Sequence, residues 1–517
     1  MCSSENLSTN SRALPLMTAP CVEPLPLYRP RTPQASDLWR LLDQHFETFQ
    51  RVYDEQFQPK YGFWRPIVER SVRAFLDCGD LHQGFARVRC ADCKHELFVA
   101  FSCKQRCTCP SCHQKRALLT AIHMAEDVCF PVAHRQVVLT IPKRLRVHTR
   151  YDRTLLGKLS ACAWTCIQDE IRRALGRQDV HPGMIAAIQT FGELLHWHPH
   201  LHCLVPCGAF TAGGEFLEVP EFDIERLEAA WREAVFALYL AEGKIGPEVV
   251  ENMRNWPHSG FHVDQSVWLA AGDRAGIERV VGYMTRCPFS LSRLVKVSET
   301  GEVIYKAEKD ACRAFPDPDG DGLASGPKRN YQVLPPLKFL AEFTQHIPPK
   351  GSHLIRYYGW YSNKARGMRR KAAEAAAAAE QPTAAVAEGA AAVPVRNRSS
   401  QTWAMLIKRV YEVDPLTCDR CGGRMKVVAF LEPPQGEVIE KILQHCGLWN
   451  PASPRAPPSA AALVYVPDAD GDGQTAGPDQ SGELTYVPDP DGDSQTPSSE
   501  APWEVDPFDA DPFEAAF

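Results

Sequence analysis

The chain has 517 residues, of which 44% are apolar and 9% aromatic, and its formal net charge is −6. This composition can build the cores of two or three domains and excludes a disordered or fibrous protein. The first thirty residues lack a basic start followed by an apolar run, and no run of eighteen apolar residues follows. We therefore expect a cytoplasmic protein that has no contact with membranes.

The charge is segregated along the chain. Residues 51–150 contain 17 Lys and Arg against 9 Asp and Glu, a net charge of +8, whereas residues 451–517 contain 1 against 14, a net charge of −13. A basic region of this size favours a polyanion such as nucleic acid, because binding releases counterions, although a basic surface that is merely solvated looks the same in sequence.

Composition and periodicity divide the chain into six predicted segments. They are a disordered N-terminal tail (1–35), a zinc-binding and DNA-binding domain (36–125), a main domain of helices and strands (126–370), an Ala-rich linker (371–398), a small C-terminal module (399–450) and a disordered acidic tail (451–517). A helical pattern begins near Asp37, and a β-like run covers Gln136 to Ile141.

Two cysteine pairs lie close together in the basic region. Cys90-Ala-Asp-Cys93 and Cys109-Pro-Ser-Cys112 are separated by fifteen residues, and this spacing is typical of a structural zinc site closed by four thiolates. The cytoplasm keeps thiols reduced, so metal binding by these cysteines is favoured over disulfide bonds. A closed site has no open position for water, which indicates a role in folding and presentation.

The sequence does not decide two questions about this site, which are whether it binds DNA and which cysteines hold the metal. Lys104 and Arg106 would suit a zinc ribbon that lies against DNA phosphates, but a zinc site that only stabilises the fold is the alternative. Cys78, Cys103 and Cys107 are left over, so a second metal or a different ligand set remains open.

A further pair, Cys418 and Cys421, lies in the small C-terminal module. His445 or Cys446 could complete a zinc site with it, but a turn without metal is an equal alternative.

Four histidines occupy alternate positions in residues 196–202. Alternate side chains of a strand share one face, so His200 and His202 can bind one divalent ion while Leu201 and Cys203 point into the core. Because proline cannot donate to a sheet ladder, we expect the regular strand to begin after Pro199 or to lie at a sheet edge.

A third metal ligand is not fixed by the sequence. Gln189, Glu193 and His198 are the candidates. An isolated strand histidine is usually a core or surface residue, and it is the His-x-His pair after two further histidines that favours a metal site.

A short helix with a tyrosine is predicted between Asp273, a candidate N-cap, and Pro288. Arg279, Tyr283 and Arg286 lie at helical spacing on one face, and guanidinium groups suit phosphates and a developing phenolate. Tyrosine, with a pKa of about 10, needs a Lewis acid on the scissile phosphate to act as a nucleophile. The alternative is an ordinary packing tyrosine.

The combination of motifs resembles a known family. His200-Leu-His202 followed by Tyr283, the cysteine pairs, and the stretches 345–364 and 403–422 are similar to the zinc-binding rolling-circle transposases of insertion sequences, in the His-hydrophobe-His endonuclease superfamily. The resemblance covers about residues 37–447. Arg279 and Cys287 stand four residues to either side of Tyr283, so the chain resembles the single-tyrosine branch and not the members with two tyrosines.

The resemblance implies an α+β fold in which an N-terminal zinc ribbon precedes a palm-like antiparallel sheet that carries the histidines, with Tyr283 on a helix across the metal. It implies cleavage of one DNA strand through a 5′-phosphotyrosine link, with catalytic Mg²⁺ or Mn²⁺ on His200 and His202 and structural Zn²⁺ on the cysteines. The expected partner is single-stranded DNA of the element ends and target, and no small-molecule cofactor is expected.

Residues 353–364 combine cations with aromatic rings, as single-strand binding sites do. We predict DNA contacts from Arg356, Tyr357 and Trp360, with burial of the rings in the core as the alternative, and one tyrosine of this segment is a reserve nucleophile.

Two other functions fit parts of the pattern. A rolling-circle replication initiator would share the chemistry and differ in its cutting site. A non-catalytic zinc-ribbon regulator would explain the cysteines and leave the histidine strand without a role.

Overall fold

The structure of the chain is a computed structural model, which describes residues 32–219, 222–297, 301–317, 325–380 and 416–449. Both predicted tails, apart from residues 32–35 just before α1, and most of the predicted linker lie outside the described residues. Among the helices described, none combines the length and apolar character that a membrane-spanning segment needs.

The secondary structure mixes helices and strands. The α-helices are α1 (Asp37–Gln56), α2 (Gln58–Tyr61), α3 (Pro66–Leu76), α4 (Pro110–His123), α5 (Lys143–Tyr151), α6 (Thr154–Leu175), α7 (Ile224–Ala241), α8 (Pro247–Arg254), α9 (Arg274–Met284), α10 (Pro336–Thr344), α11 (Asn363–Glu380) and α12 (Gly436–His445). The strands are β1 (Phe85–Cys90), β2 (Glu96–Ala100), β3 (His134–Thr140), β4 (Gly183–Phe191), β5 (Trp197–Pro206), β6 (Gly208–Phe210), β7 (Phe216–Glu218), β8 (His262–Asp264), β9 (Trp268–Leu269), β10 (Leu294–Val297), β11 (Val303–Lys306), β12 (Arg313–Pro316), β13 (Ser325–Arg329), β14 (Tyr331–Leu334), β15 (Ile355–Gly359) and β16 (Met425–Leu431).

The largest sheet has six strands in the order β15-β4-β5-β3-β8, with β9 also paired to β3. Every neighbouring pair is antiparallel. The two strands at its centre, β4 and β5, are buried along their whole length, so both faces of the sheet are covered. The predicted α+β class with an antiparallel sheet is confirmed.

The two faces of this sheet pack against different helices. Leu201 and Cys203 of β5 belong to a core that includes Ile167 of α6, together with residues of α5, α7 and α8. Leu204 belongs to a second core that includes Val281 of α9 and residues of α4. Because side chains alternate along a strand, β5 presents its apolar odd-numbered residues to α6 and its even-numbered residues to α9.

The expectation about Pro199 was wrong. β5 begins at Trp197, includes Pro199 and lies in the middle of the sheet. The proline is tolerated because the pairing with β3 ends at His200, and the pairing with β4 shifts register between Gln189 and Phe191. Pro199 thus lies at a bulge, where no ladder hydrogen bond is required of it.

The N-terminal helices pack onto the main domain. α1 begins at Asp37, and the Ser36 side chain caps it by accepting from the Trp39 amide at 3.3 Å. Leu42 of α1 and Phe339 of α10 lie in one apolar core with the end of β10 and with β11 and β14. The predicted segments 36–125 and 126–370 therefore share a core instead of forming two separate bodies.

The small C-terminal module is also joined to the N-terminal region. β16 pairs antiparallel with β1, which pairs with β2, to give a three-stranded sheet in the order β16-β1-β2. The prediction treated residues 399–450 as a module of their own, because strands paired across more than three hundred residues leave no local signal. Upstream of it, α11 continues to Glu380, so the first ten residues of the predicted linker are helical.

Candidate active site and cysteine clusters

The paired histidines lie on the face of the central sheet that α9 covers. On β5, His200 is opposite Thr140 of β3 and Gln189 of β4, and His202 is two residues further along the same face. The two imidazole rings are 4.8 Å apart between centroids, and both are buried. Because side chains alternate along β5, both rings lie next to each other on the same face of the sheet.

In each of the two histidine rings, the Nδ1 atom forms a hydrogen bond that holds the ring in its orientation. The Nδ1 of His200 lies 2.8 Å from the His198 carbonyl oxygen, to which it donates, so its Nε2 carries a lone pair. The Nδ1 of His202 lies 2.9 Å from the side-chain amide of Gln136. Burial, followed by the electrostatic influence of the neighbouring His200 and Arg286, holds the pKa of His202 well below its usual value, so the ring is neutral.

Gln189 links the histidine face to the end of α9. Its side-chain nitrogen donates to the carbonyl oxygens of Tyr283 and Met284, each at 2.9 Å. These two bonds fix the orientation of the amide. Its buried Oε1 has no hydrogen-bond partner among the described residues, and neither has the Nε2 of His202. Two buried polar atoms on this face of the sheet are thus left without a hydrogen-bond partner among the described residues.

The other candidates for a third ligand are not in position. Within the described residues, the groups of three or more His, Cys, Asp or Glu ligand atoms that approach within 4.8 Å of one another consist of cysteines alone. Neither Glu193 nor His198 therefore completes a set with His200 and His202. The Glu193 carboxylate instead lies 3.8 Å from the Arg313 guanidinium.

Tyr283 lies directly beside the histidines. Its ring centroid is 5.4 Å from that of His202, with the two planes at 88°. The side chain is 41% exposed, so one edge of the ring faces solvent while the other faces the buried histidine. The Arg286 guanidinium lies 4.4 Å above the Tyr283 ring. A partly exposed phenol, a cation and two buried imidazoles therefore meet at the open end of this face.

The two predicted arginines of this helix region differ in their surroundings. The Arg279 side chain is 73% exposed, and its nearest acidic group is Asp273 at 3.9 Å. Arg286 is more enclosed and forms an ion pair of 2.5 Å with Glu308. A phosphate that binds Arg286 must therefore compete with this carboxylate.

A cleft runs between the N-terminal cysteine region, the end of α9 and the central sheet. Arg106, Arg116 and Arg286 line it together with Gln189. Arg106 also donates to the Ser352 carbonyl oxygen at 2.9 Å, which orients its guanidinium. Lys104 is exposed near the same region. The arginine-lined cleft therefore extends to Gln189, which lies opposite His200 in the central sheet.

The aromatic segment after residue 353 behaves differently from the prediction. Trp360 is buried and stacks on Phe210 with centroids 4.7 Å apart, so the expectation that it contacts DNA was wrong and it serves the core. The hydroxyl of Tyr361 is hydrogen-bonded to His134 at 2.7 Å, and that of Tyr358 donates to Ser160 at 2.9 Å. These two tyrosines are committed to packing and are not available as reserve nucleophiles.

Arg356 and Tyr357 lie on opposite faces of β15. Arg356 pairs with Ala186 and its guanidinium lies over Gly157 of α6, on the side of the sheet away from the histidines. Tyr357 is on the histidine side, beneath the Arg366 guanidinium at 5.3 Å. The structure therefore does not bring Arg356 to the histidine site.

The cysteines form two clusters, which corrects the predicted grouping. Cys90 and Cys93 do not meet Cys109 and Cys112. The first cluster, which we call the inner cluster, consists of Cys78, Cys103, Cys109 and Cys112, and the second, the outer cluster, consists of Cys90, Cys93, Cys418 and Cys421. In each, the four Sγ atoms lie within 4.8 Å of one another.

The hairpin of β1 and β2 explains this partition. Cys90 and Cys93 lie at its turn, whereas Cys103 follows the end of β2, at the other end of the hairpin. A strand of five residues spans about 17 Å, so the two ends cannot share an ion. The spacing rule failed because it assumed that the fifteen intervening residues form a loop that returns to its start.

Neither Gln136 nor the roles of Cys78 and Cys103 were predicted from the sequence. Gln136 opens an otherwise apolar β-run, and a polar residue in such a run is a usable signal for a buried hydrogen bond. The cysteines were recognised as surplus, but their partners depend on the hairpin geometry.

Two family models match the chain, one described as "Transposase zinc-binding domain" over residues 46–141 and one described as "Putative transposase" over residues 183–369. The first includes the whole inner cluster, and the second includes the histidine strand and α9. The chain therefore contains both regions that these models describe, and it is similar to zinc-binding transposases of insertion sequences.

Two individual relatives are similar over most of their length. The transposase for insertion sequence element IS801 of Pseudomonas savastanoi pv. phaseolicola is 25% identical over 388 residues, which are 71% of this chain and 85% of the relative. The "Putative transposase y4qJ" of Sinorhizobium fredii (strain NBRC 101917 / NGR234) is 25% identical over 343 residues, 61% of this chain and 80% of the relative. No solved structure matches the chain.

Proposed function

We propose that this transposase cuts and rejoins one strand of DNA by a rolling-circle mechanism, with Tyr283 as the nucleophile. The observation that carries the proposal is the contact of the Tyr283 ring with His202, 5.4 Å between centroids, on the face that also holds His200 and Gln189. Strand cleavage requires a nucleophile beside a set of metal ligands. In the proposed site the two meet at the open end of a buried face.

His200, His202 and Gln189 fit a divalent cation, Mg²⁺ or Mn²⁺. The buried His202 Nε2 and Gln189 Oε1 have no partner among the described residues, and a cation would satisfy both. Imidazole nitrogens and amide oxygens are ligands that Mn²⁺ accepts, and Mg²⁺ accepts the oxygen more readily. When bound, such an ion supplies Lewis-acid polarisation of the scissile phosphate.

In the proposed reaction the Tyr283 oxygen attacks phosphorus and the bond from phosphorus to the 3′ oxygen breaks. The phenol loses its proton to solvent, and the departing 3′ oxygen takes one up to leave a free 3′-hydroxyl. The Arg286 guanidinium above the ring favours the phenolate as it forms. The phosphotyrosine ester keeps the energy of the broken bond, so an incoming 3′-hydroxyl can rejoin the strand without ATP.

The substrate in this proposal is single-stranded DNA from the ends of the element. The cleft lined by Arg106, Arg116 and Arg286 provides positive charge along a path that ends at Gln189. Arg279, exposed on the surface of α9, is a further phosphate contact within about one turn of Tyr283.

The test uses a 3′-labelled single-stranded oligonucleotide that carries an element end, incubated with the protein and Mn²⁺. We expect wild-type protein to retain the label covalently, and Tyr283→Phe to bind the oligonucleotide with unchanged affinity and retain none. Tyr331→Phe, which removes the hydroxyl of an exposed tyrosine on β14, is the matched control and should form the adduct normally.

Three results would count against the proposal. An adduct that persists in Tyr283→Phe places the nucleophile elsewhere. Binding by wild-type protein without any adduct favours a non-catalytic DNA-binding role. Cleavage at a plasmid or phage origin but not at element ends favours a replication initiator.

A further inference from the structure

We infer that the outer cluster is a second zinc site, which fastens the C-terminal module, residues 416–449, onto the N-terminal region. Neither family model reaches Cys418 or Cys421, because the matches cover residues 46–141 and 183–369. The two cysteine pairs of this site are separated by more than three hundred residues of sequence, yet their four sulfurs converge.

The spacing of the sulfurs fits a tetrahedral ion. Cys90 Sγ lies 3.6 Å from Cys421 Sγ, and Cys93 Sγ lies 3.5 Å from Cys418 Sγ. Zn–S bonds of about 2.3 Å in a tetrahedron place sulfurs about 3.8 Å apart. The distances are too long for disulfides, whose sulfurs are about 2.05 Å apart, and all four thiols are free.

The inner cluster has the same spacing. Cys78 Sγ lies 3.9 Å from both Cys109 Sγ and Cys112 Sγ, and Cys103 Sγ lies 3.7 Å from Cys112 Sγ. This cluster lies within the matched zinc-binding domain. The outer cluster therefore has nearly the same sulfur–sulfur distances as the cluster inside the matched zinc-binding domain.

The two halves of the outer cluster have the same local backbone. In each, the second cysteine is followed by a residue in the left-handed region, Lys94 with φ of 62° and Gly422 with φ of 70°. The Gly423 amide donates to Cys421 Sγ at 3.4 Å, and the Gly422 amide donates to the Cys418 carbonyl at 2.8 Å. Two tight turns of this kind, with both thiols aimed outward at one point, are the construction of a Cys-x2-Cys zinc site.

Sheet pairing holds the halves in register. Cys90 at the end of β1 is opposite Met425 at the start of β16, and the Ala91 amide donates to the Arg424 carbonyl at 3.1 Å. His95 Nε2 also lies 3.3 Å from the Asp419 carboxylate. The turns that carry the two cysteine pairs therefore face each other at the same end of the sheet.

The apolar contacts of the module are small. The buried residues number four on one side of the sheet, Phe85, Leu431, Ile439 and Leu443, and four on the other, Val88, Cys90, Cys418 and Met425, with a few partly buried residues packed against them. Clusters of this size do not hold a small module folded alone, and a structural metal supplies the missing stabilisation. The zinc is thus what keeps residues 416–449 attached.

Zinc content of the purified full chain tests the site. We expect two zinc ions per chain in wild-type protein and one in the double variant Cys418→Ser/Cys421→Ser. Cys446→Ser, which removes an exposed cysteine outside both clusters, should keep two. One ion in wild-type protein, unchanged by Cys418→Ser/Cys421→Ser, would overturn the inference.

Thiol alkylation gives a second readout, and because its main comparison uses wild-type protein, that comparison does not depend on how well a variant folds. Cys93, Cys421 and Cys446 are all exposed. In zinc-loaded wild-type protein we expect N-ethylmaleimide to modify Cys93 and Cys421 at least tenfold more slowly than Cys446, and at a similar rate after a chelator. In Cys418→Ser, Cys93 should become reactive without the chelator.

Equal alkylation of these three cysteines in zinc-loaded wild-type protein would contradict a metal at the outer cluster. Neither measurement uses DNA, so its failure is separate from a failure of the proposed strand transfer.

Discussion

At the residue scale, the site depends on which nitrogen of each histidine faces the proposed cation. The His198 carbonyl accepts from His200 Nδ1, so Nε2 is the His200 nitrogen that we propose as the cation ligand. In the structure the Gln136 side-chain nitrogen donates to His202 Nδ1, so a lone pair on His202 Nε2 requires a half-turn of this amide that presents its oxygen to Nδ1 instead. We therefore expect Gln136 to act as a positioning residue behind the proposed metal ligand His202.

We predict that Gln136→Leu raises the Mn²⁺ concentration for half-maximal strand cleavage by about 10- to 100-fold, because His202 loses the partner that fixes its tautomer. Gln136→Glu supplies a carboxylate acceptor of similar size, so it should stay near the wild-type value. The measurement is adduct yield against Mn²⁺ concentration. Equal effects of the two substitutions would assign Gln136 to packing alone.

The sequence was informative about the histidines and uninformative about their neighbours. The alternation of β5 is local, so it correctly placed His200 and His202 on one face, with Leu201 and Cys203 opposite. The position of Gln189 beside His200 depends on the register between strands, and on a bulge that no short stretch of sequence encodes.

At the element scale, α9 sets the position of the tyrosine. The Asp273 side chain accepts from the Gly276 amide at 2.8 Å, so the predicted N-cap is present. The helix ends at Met284, four residues before Pro288. Gln189 ends it by donating to the carbonyls of Tyr283 and Met284, which an α-helix leaves without partners. A tertiary contact, which sequence patterns do not contain, therefore determines this boundary.

Removing the N-cap should loosen the helix. We expect Asp273→Ala to destabilise the domain by about 1 kcal/mol, which corresponds to a melting point lower by roughly 2–4 °C. Asp273→Asn keeps the acceptor and should change the melting point by less than half as much. Differential scanning calorimetry separates the two variants, and equal losses would show that the charge of Asp273 matters more than its hydrogen bond to Gly276.

At the scale of the whole molecule, the chain brings distant segments to one side of the central sheet. The inner cluster positions the start of α4, and His113 of that helix lies 2.8 Å from the Thr285 carbonyl at the end of α9. Arg106 and Arg116 flank this junction and face the cleft with Arg286. The local charge count predicted a basic surface, but its alignment with the tyrosine follows only from the packing of α4 on α9.

Salt dependence of DNA binding tests whether this cleft holds the strand. Each phosphate neutralised on a single strand contributes about −0.7 to the slope of log affinity against log salt concentration. We expect the double variant Arg106→Ala/Arg116→Ala to lose about 1.4 from the magnitude of that slope in fluorescence anisotropy with a labelled oligonucleotide. Arg106→Lys/Arg116→Lys keeps both charges and should retain the wild-type slope. Arg254→Ala, on α8 and paired with Glu233, should also retain it. A slope that stays at the wild-type value in the alanine variant would mean that the strand follows another path to Tyr283.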